Sequence, residues 1–142
     1  MGSTLSSFLA QNAKKIENKQ VIVSNRFVDE NGNAIPWEIC CITANENARI
    51  RRESTKQIPV AGRRNQYTQE FDASLYQAKL AASCTVFPNL NDAELQSSYG
   101  VMDAESLITT MLTSGEFEDY SAAVLGLNGF ASSAEMVEDA KN

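Results

Sequence analysis

The stretch from Cys84 to Phe130 constrains the fold of this chain more than any other. It opens with Cys-Thr-Val-Phe-Pro-Asn-Leu-Asn-Asp and continues through three amphipathic segments, punctuated by Tyr99-Gly100, Ser114-Gly115 and Asn128-Gly129-Phe130. Ala104, Leu107, Ile108, Met111 and Leu112 repeat at full helical spacing, so one face of that segment must be buried. Asp103 is placed to cap it. Asn91 with Asp92, Ala93 and Glu94 resembles a capping box, and Gly100 suits a left-handed helix end. Ser114 and Gly115 break the next helix from the last, which begins at Glu116 and turns Phe117, Tyr120, Val124 and Leu127 inward. Asn128-Gly129 stops it, and Phe130 can fold back on it.

A chain of 142 residues suits one domain that needs no staples. No apolar run approaches a membrane span. The N-terminus lacks the basic start and long apolar region of a secretory signal. Gly2 and Ser6 fit the short myristoylation pattern, which nothing else in the sequence supports. Three cysteines, Cys40, Cys41 and Cys84, point to a reducing compartment. There is no histidine, which removes His-based nucleophile activation and His metal ligands. Net charge is −6, unevenly spread. Residues 49–64 form a basic island with Arg49, Arg51, Arg52, Lys56, Arg63 and Arg64 against Glu53 alone. An acidic chain with one such island is a poor general nucleic-acid binder.

Residues 4–17 are expected to form a short helix, with Leu5, Phe8, Leu9 and Ile16 on one side and Ser3 or Thr4 as cap. Residues 20–28 and 35–43 read as a β-hairpin around Asn31-Gly32, with Trp37 as a core anchor. Pro36 lacks an N–H and predicts an edge position there. Residues 44–56 predict a solvated helix on the rim. Residues 57–67 predict a loop broken by Pro59 and Gly62. Thr68 is expected to start a central helix carrying Phe71, Leu75, Tyr76, Ala78, Leu80 and Ala82 to Cys84. The expected class is α+β: a mainly helical single domain over 1–130, about five to six helices, with one antiparallel hairpin near the N-terminus. Its parts are an N-terminal helix, a hairpin over 20–43 and a helical part over 44–130. Residues 131–142 are expected to form an acidic flexible tail.

No catalytic set emerges. Glu70 with Asp72, and Glu116 with Glu118 and Asp119, lie in predicted first helical turns, where the dipole and free N–H groups favour acids structurally. Gly62-Arg63-Arg64 lacks the spacing of a phosphate loop. Cys84 fits a reduced core thiol better than a nucleophile. Adjacent Cys40 and Cys41 would point to opposite faces of a strand, poor geometry for a metal. The candidate partner-binding residues are Leu5, Phe8, Leu9 and Ile16 on the terminal segment, with Arg49, Arg51, Arg52, Arg63 and Arg64 in the basic island.

The residues also resemble a known family. Phe8-Leu9-Ala10-Gln11-Asn12-Ala13-Lys14-Lys15, the hairpin ending in Trp37-Glu38-Ile39, Gly62-Arg63 with Gln66-Tyr67-Thr68, and Ala78-Lys79-Leu80-Ala81-Ala82 are similar to the XkdN-like tail assembly chaperones of tailed phages and prophages. The most specific block runs from Val86-Phe87-Pro88-Asn89-Leu90-Asn91-Asp92 through Tyr99-Gly100-Val101-Met102. It continues to Met111-Leu112, Gly115-Glu116 and Asn128-Gly129-Phe130. The resemblance spans residues 8–130 and leaves the tail outside.

It implies a non-enzymatic, cytoplasmic factor, prophage-encoded in a bacterial host. Such a factor holds the long, helical tape measure protein soluble while tail tube subunits polymerise around it. It implies no catalytic residues, cofactor, metal or membrane. Apolar surface near the terminal helix or between the last two helices would engage amphipathic helices of that partner, and self-association would multiply weak contacts. A structural tail component or connector is the alternative, and a small nucleic-acid-binding regulator the next.

Overall fold

The computed structural model describes residues 4–130. Five helices and two small antiparallel sheets make an α+β domain in which helices do not dominate. The sheets are β1 (Lys19–Val21), β2 (Trp37–Ile39) and β5 (Thr85–Phe87) in the order β1-β2-β5, and β3 (Thr55–Pro59) with β4 (Tyr67–Phe71). The helices are α1 (Ala44–Glu53), α2 (Ala73–Ser83), α3 (Ala93–Ser98), α4 (Ala104–Met111) and α5 (Ser114–Leu127). The acidic tail expected over 131–142 lies outside the described residues.

The expected hairpin exists, but its paired strands are shorter. β1 pairs with β2 in the register Lys19↔Ile39 and Val21↔Trp37, and a lone bridge joins Val28 to Ala34. Its turn is built by Asp29, whose Oδ1 accepts from Asn31 N at 2.8 Å and Asn33 N at 3.0 Å, with Gly32 at φ +81°. Pro36 does not mark an edge. It precedes β2, which is the middle strand because β5 pairs on its other side. The strand period puts Trp37 and Ile39 on the helix side, both buried, while Glu38 faces out to accept from Asn18 Nδ2 at 2.9 Å.

Trp37 is the core anchor. Its ring meets Tyr120 of α5 edge-on, with centroids 5.2 Å apart, and lies 6.1 Å from Phe27. The buried Tyr120 hydroxyl needs a partner and finds Thr85 Oγ1 of β5 at 2.6 Å. Leu80 and Ala81 of α2, Leu107, Ile108 and Met111 of α4, Val124 of α5 and Leu90 complete the same cluster. α2 is central, as its small residues predict: it packs on α1, α4, α5 and β5. α1 is mostly solvated, yet Ile50 reaches into the core and is 2% exposed.

Caps set the helix bounds. Asp72, Asp92 and Asp103 each accept the N–H three residues on, starting α2, α3 and α4. The cap of α3 is thus Asp92, one residue past Asn91. Thr113 and Glu116 form a reciprocal capping box, so α5 begins at Ser114 and Gly115 lies inside its first turn instead of before it. Thr43 and Glu46 do the same for α1. Gly129 at φ +85° ends α5, and Phe130 N donates to Leu125 O at 2.9 Å.

Other expectations fail. Residues 4–17 are not an α-helix. Thr4–Phe8 is a 3-10 turn, and the chain then bends, with Ala13 N on Leu9 O at 2.8 Å and Asn12 Nδ2 on Ser6 O at 2.7 Å. None of these residues is buried, and a short helix with no buried face lacks the packing that would hold it. Of residues 57–67 only 60–66 form a turn, the rest being strand, and no helix starts at Thr68. β3 and β4 form a ribbon in the register Thr55↔Phe71 through Pro59↔Tyr67, turned over 60–66 with Gly62 at φ +76° and Asn65 at φ +58°. Polar residues on both faces hide the strand alternation, and Pro59 sits in the outermost pair, where a missing N–H matters least.

Trp37→Ala should destabilise the protein by about 3–5 kcal/mol in chemical denaturation, because the ring leaves a cavity among fixed neighbours. Phe8→Ser, outside the core, should change it by less than about 0.5 kcal/mol.

Glu116 accepts from Arg26 Nη2, while Arg26 also donates to Met111 O at 2.7 Å. Hydrogen bonding to Arg26, then to Ser24 and Thr113, pulls the Glu116 carboxyl down from 4.5 to about 2. A carboxylate with a depressed folded value stabilises above its unfolded value. Its contribution should therefore be full above about pH 4.5 and vanish as pH falls towards 2. Glu116→Gln should lower stability at neutral pH and flatten that part of the acid-unfolding curve, read by denaturation midpoints across pH 2–6.

Candidate partner-binding surface

The acids and thiols do not assemble into a reaction centre. Asp72 and Glu116 cap helices, Glu70 stands in β4 opposite Lys56, and Glu118 and Asp119 are exposed on α5. Among the described residues no group of three His, Cys, Asp or Glu is placed to hold a metal ion. Cys84 is fully buried, and burial pushes its thiol up to about 12, against the thiolate a nucleophile requires. Its neighbour Asn128 is a hub that the sequence shows only as a helix stop. Asn128 Nδ2 donates to Val124 O at 2.9 Å and reaches Cys84 Sγ at 3.5 Å. Its Oδ1 accepts from Ile42 N at 2.9 Å, tying the end of α5 to the chain leaving β2.

The structure separates the candidate partner-binding residues into two places. Leu5, Phe8, Leu9 and Ile16 lie along the N-terminal segment and are exposed by 69%, 80%, 43% and 65%. They do not share a helical stripe, since the segment is not an α-helix. Arg49, Arg51 and Arg52 are on α1, and Arg63 and Arg64 are in the turn at the tip of the β3–β4 ribbon.

These arginines are not equivalent. Arg49 approaches Glu53 at 4.0 Å. The Arg51 guanidinium stacks over Tyr76 at 5.1 Å and Phe71 at 5.8 Å. Arg51 and Arg52, with Thr55, Gln57 and Gln69, line an open concavity of about 350 Å³. Among the described residues no carboxylate lies within ion-pair distance of Arg51, Arg52, Arg63 or Arg64.

A buried serine anchors the ribbon at its base. Ser54 Oγ donates to Ile50 O at 2.8 Å, and Ser54 O accepts from Asp72 N at 2.8 Å.

A concavity with a largely apolar lining lies between α2 and α5. Tyr76, Leu80, Ala81, Ser121, Val124 and Leu125 line a concavity of about 220 Å³ there. Ser121 Oγ is buried without a hydrogen-bond partner among the described residues. Periodicity marked α2 and α5 as amphipathic but could not pair them. No helix of the described residues is long and apolar enough to cross a membrane.

The comparisons with known proteins agree with this architecture. The family described as phage XkdN-like tail assembly chaperone protein matches residues 5–141, so its pattern includes the acidic tail that the resemblance above leaves out. The phage-like element PBSX protein XkdN of Bacillus subtilis (strain 168) is 29% identical over 140 residues, covering 97% of this chain and 93% of that protein. The uncharacterized protein YqbN of the same strain is 30% identical over 137 residues, covering 96% and 91%. The crystal structure of YqbN superposes with a TM-score of 0.76 at 25% identity, over 92% of this chain and all of that one. With a family match over nearly its whole length and a relative of the same fold, this chain belongs to the phage XkdN-like tail assembly chaperone family and has a role in phage tail assembly.

Proposed function

We propose that this chain is a non-enzymatic chaperone that binds the tape measure protein in the bacterial cytoplasm and keeps it soluble while the tail is built. The observation that carries this reading is the N-terminal segment. Phe8 and Ile16 are exposed by 80% and 65%, on a segment whose residues are all solvent-exposed. A domain with a closed core gains nothing for its own fold from large apolar side chains held in water. A protein that must hold another chain's apolar helices does. Amphipathic helices present anchors at i, i+3, i+4 and i+7, and short apolar segments meet them through a few side chains at a time. Such contacts are weak singly, so release to the growing tail remains feasible.

Co-expression with the tape measure protein of the same phage element tests this. The soluble fraction of that protein should rise several-fold with this chain present. Phe8→Asp with Ile16→Asp should remove most of the rise while leaving thermal unfolding unchanged. Equal insolubility with and without the chain would sink the reading. Recovery of the chain in purified particles would favour a structural tail component instead.

A further inference from the structure

The β3–β4 ribbon is poorly explained by the needs of the fold. A two-stranded ribbon is marginal alone in water and is normally covered on one face. Here every residue of β4 is exposed, and the ribbon meets the rest of the domain at its base, through α1 and through Phe71, whose ring lies 5.5 Å from that of Tyr76 on α2.

Its two faces differ. Strand alternation puts Lys56 and Glu70, which are direct cross-strand partners, on one face, where their charges balance. The other face carries Gln57, Gln69 and Tyr67, and at its base Arg51 and Arg52 line the concavity with Gln57 and Gln69. Arg63 and Arg64 stand at the tip. This face is therefore cationic at its base and amide-rich and aromatic along its length, it leads to two more arginines at the tip, and among the described residues none of the four has a carboxylate partner.

We propose that this face docks an acidic amphipathic helix of the client protein, a reading that rests on the chaperone role proposed above. The fit is one of charge and length. The two arginine groups are separated by about 15 Å of ribbon at roughly 3.3 Å per residue. Three helical turns span about the same distance, so acids about eleven residues apart on one helix face would meet both groups. Guanidinium groups suit this task because they bind carboxylates in a planar fork. Stacking on Tyr76 and Phe71 holds the Arg51 group in place before a partner arrives.

A second copy is a poorer occupant. Among the described residues many acids are already engaged: Asp72, Asp92 and Asp103 cap helices, while Glu105 and Glu116 pair with Lys79 and Arg26. Nucleic acid is disfavoured by the net charge of −6 around this one cationic face.

The test uses the full chain co-expressed with the tape measure protein. Arg52→Glu, Arg63→Glu and Arg64→Glu are combined, leaving Arg51 in its stack so that folding is spared. A photo-crosslinking residue at Gln69 reports what lies on the face. The triple variant should capture at least about tenfold less client at low salt than the unmodified chain, with an unchanged unfolding midpoint, and the difference should shrink as salt rises. The Gln69 crosslink should fall on an acidic segment of the client. Capture by the unmodified chain with equal capture by the triple variant overturns the ribbon inference and leaves the chaperone reading standing. No capture by the unmodified chain overturns both. A Gln69 crosslink to a second copy or to nucleic acid overturns the docking inference alone.

Discussion

The contact between Trp37 and Tyr120 joins the two halves of this domain. Trp37 comes from the middle strand of a three-stranded sheet, and Tyr120 from the longest helix, some eighty residues later in the chain. The edge-on geometry is favourable between aromatic rings, but its larger effect is to seat α5 across the sheet. From there the Tyr120 hydroxyl reaches Thr85, so one residue links β2 and β5 through its ring and its oxygen. Cys84, beside Thr85, then lies under Asn128, and Asn128 bonds back to the chain leaving β2. The sheet strands are only three residues long and could not persist without this lattice. The sheet is thus a consequence of helix packing on Trp37 and Ile39 as much as of its own ladder.

A core closed this way leaves little to do for the residues that project from it. The helices turn their apolar faces inward on Leu80, Leu107, Ile108 and Val124, and their free ends are capped. The N-terminal segment and the β3–β4 ribbon contribute almost nothing to that core. Both cost conformational entropy to hold in order, and neither recovers it within the chain through apolar burial. That imbalance separates the scaffold from the parts available to a partner.

The same division explains what was legible in the sequence. Wherever apolar burial dictates structure, periodicity showed it: the α4 stripe, the buried Trp37, the inner face of α5 and the reduced thiol of Cys84. Caps were readable in part: Asp103 was found, and Asn91 stands one residue before the true cap Asp92, whereas Thr68 was expected to start the helix that Asp72 caps and Glu116 the one that Thr113 caps. Reading failed where neither force acts. Thr55–Pro59 and Tyr67–Phe71 are solvated on both faces, so strand period 2 leaves no trace in their polarity. Leu5, Phe8, Leu9 and Ile16 have helical spacing but no surface to pack on, so the spacing produced only a 3-10 turn and no α-helix. The pairing of α2 with α5 around Ser121, and the role of Asn128, depend on contacts between distant segments, which periodicity cannot register. The candidate site residues were found as an apolar group by spacing and a basic group by charge, on two separate stretches; that Arg63 and Arg64 stand at the tip of a ribbon was not readable.

These two groups are complementary in chemistry. An amphipathic helix has an apolar face and a polar one, and an aggregation-prone client made of such helices fails in solution by exposing the first. A chaperone that covered only the apolar face would bind any such helix, while one that read only charge would leave the sticky face exposed. Apolar contacts along the N-terminal segment and charged contacts on the ribbon, used on one client, would supply affinity from the first and selection from the second. Neither surface is large or deeply concave, so each contact stays weak and exchangeable, and holding depends on engaging several at once. For the proposed chaperone, which must surrender its client to a growing tail, that is a sufficient reason to place its binding groups on the periphery while the core stays fixed.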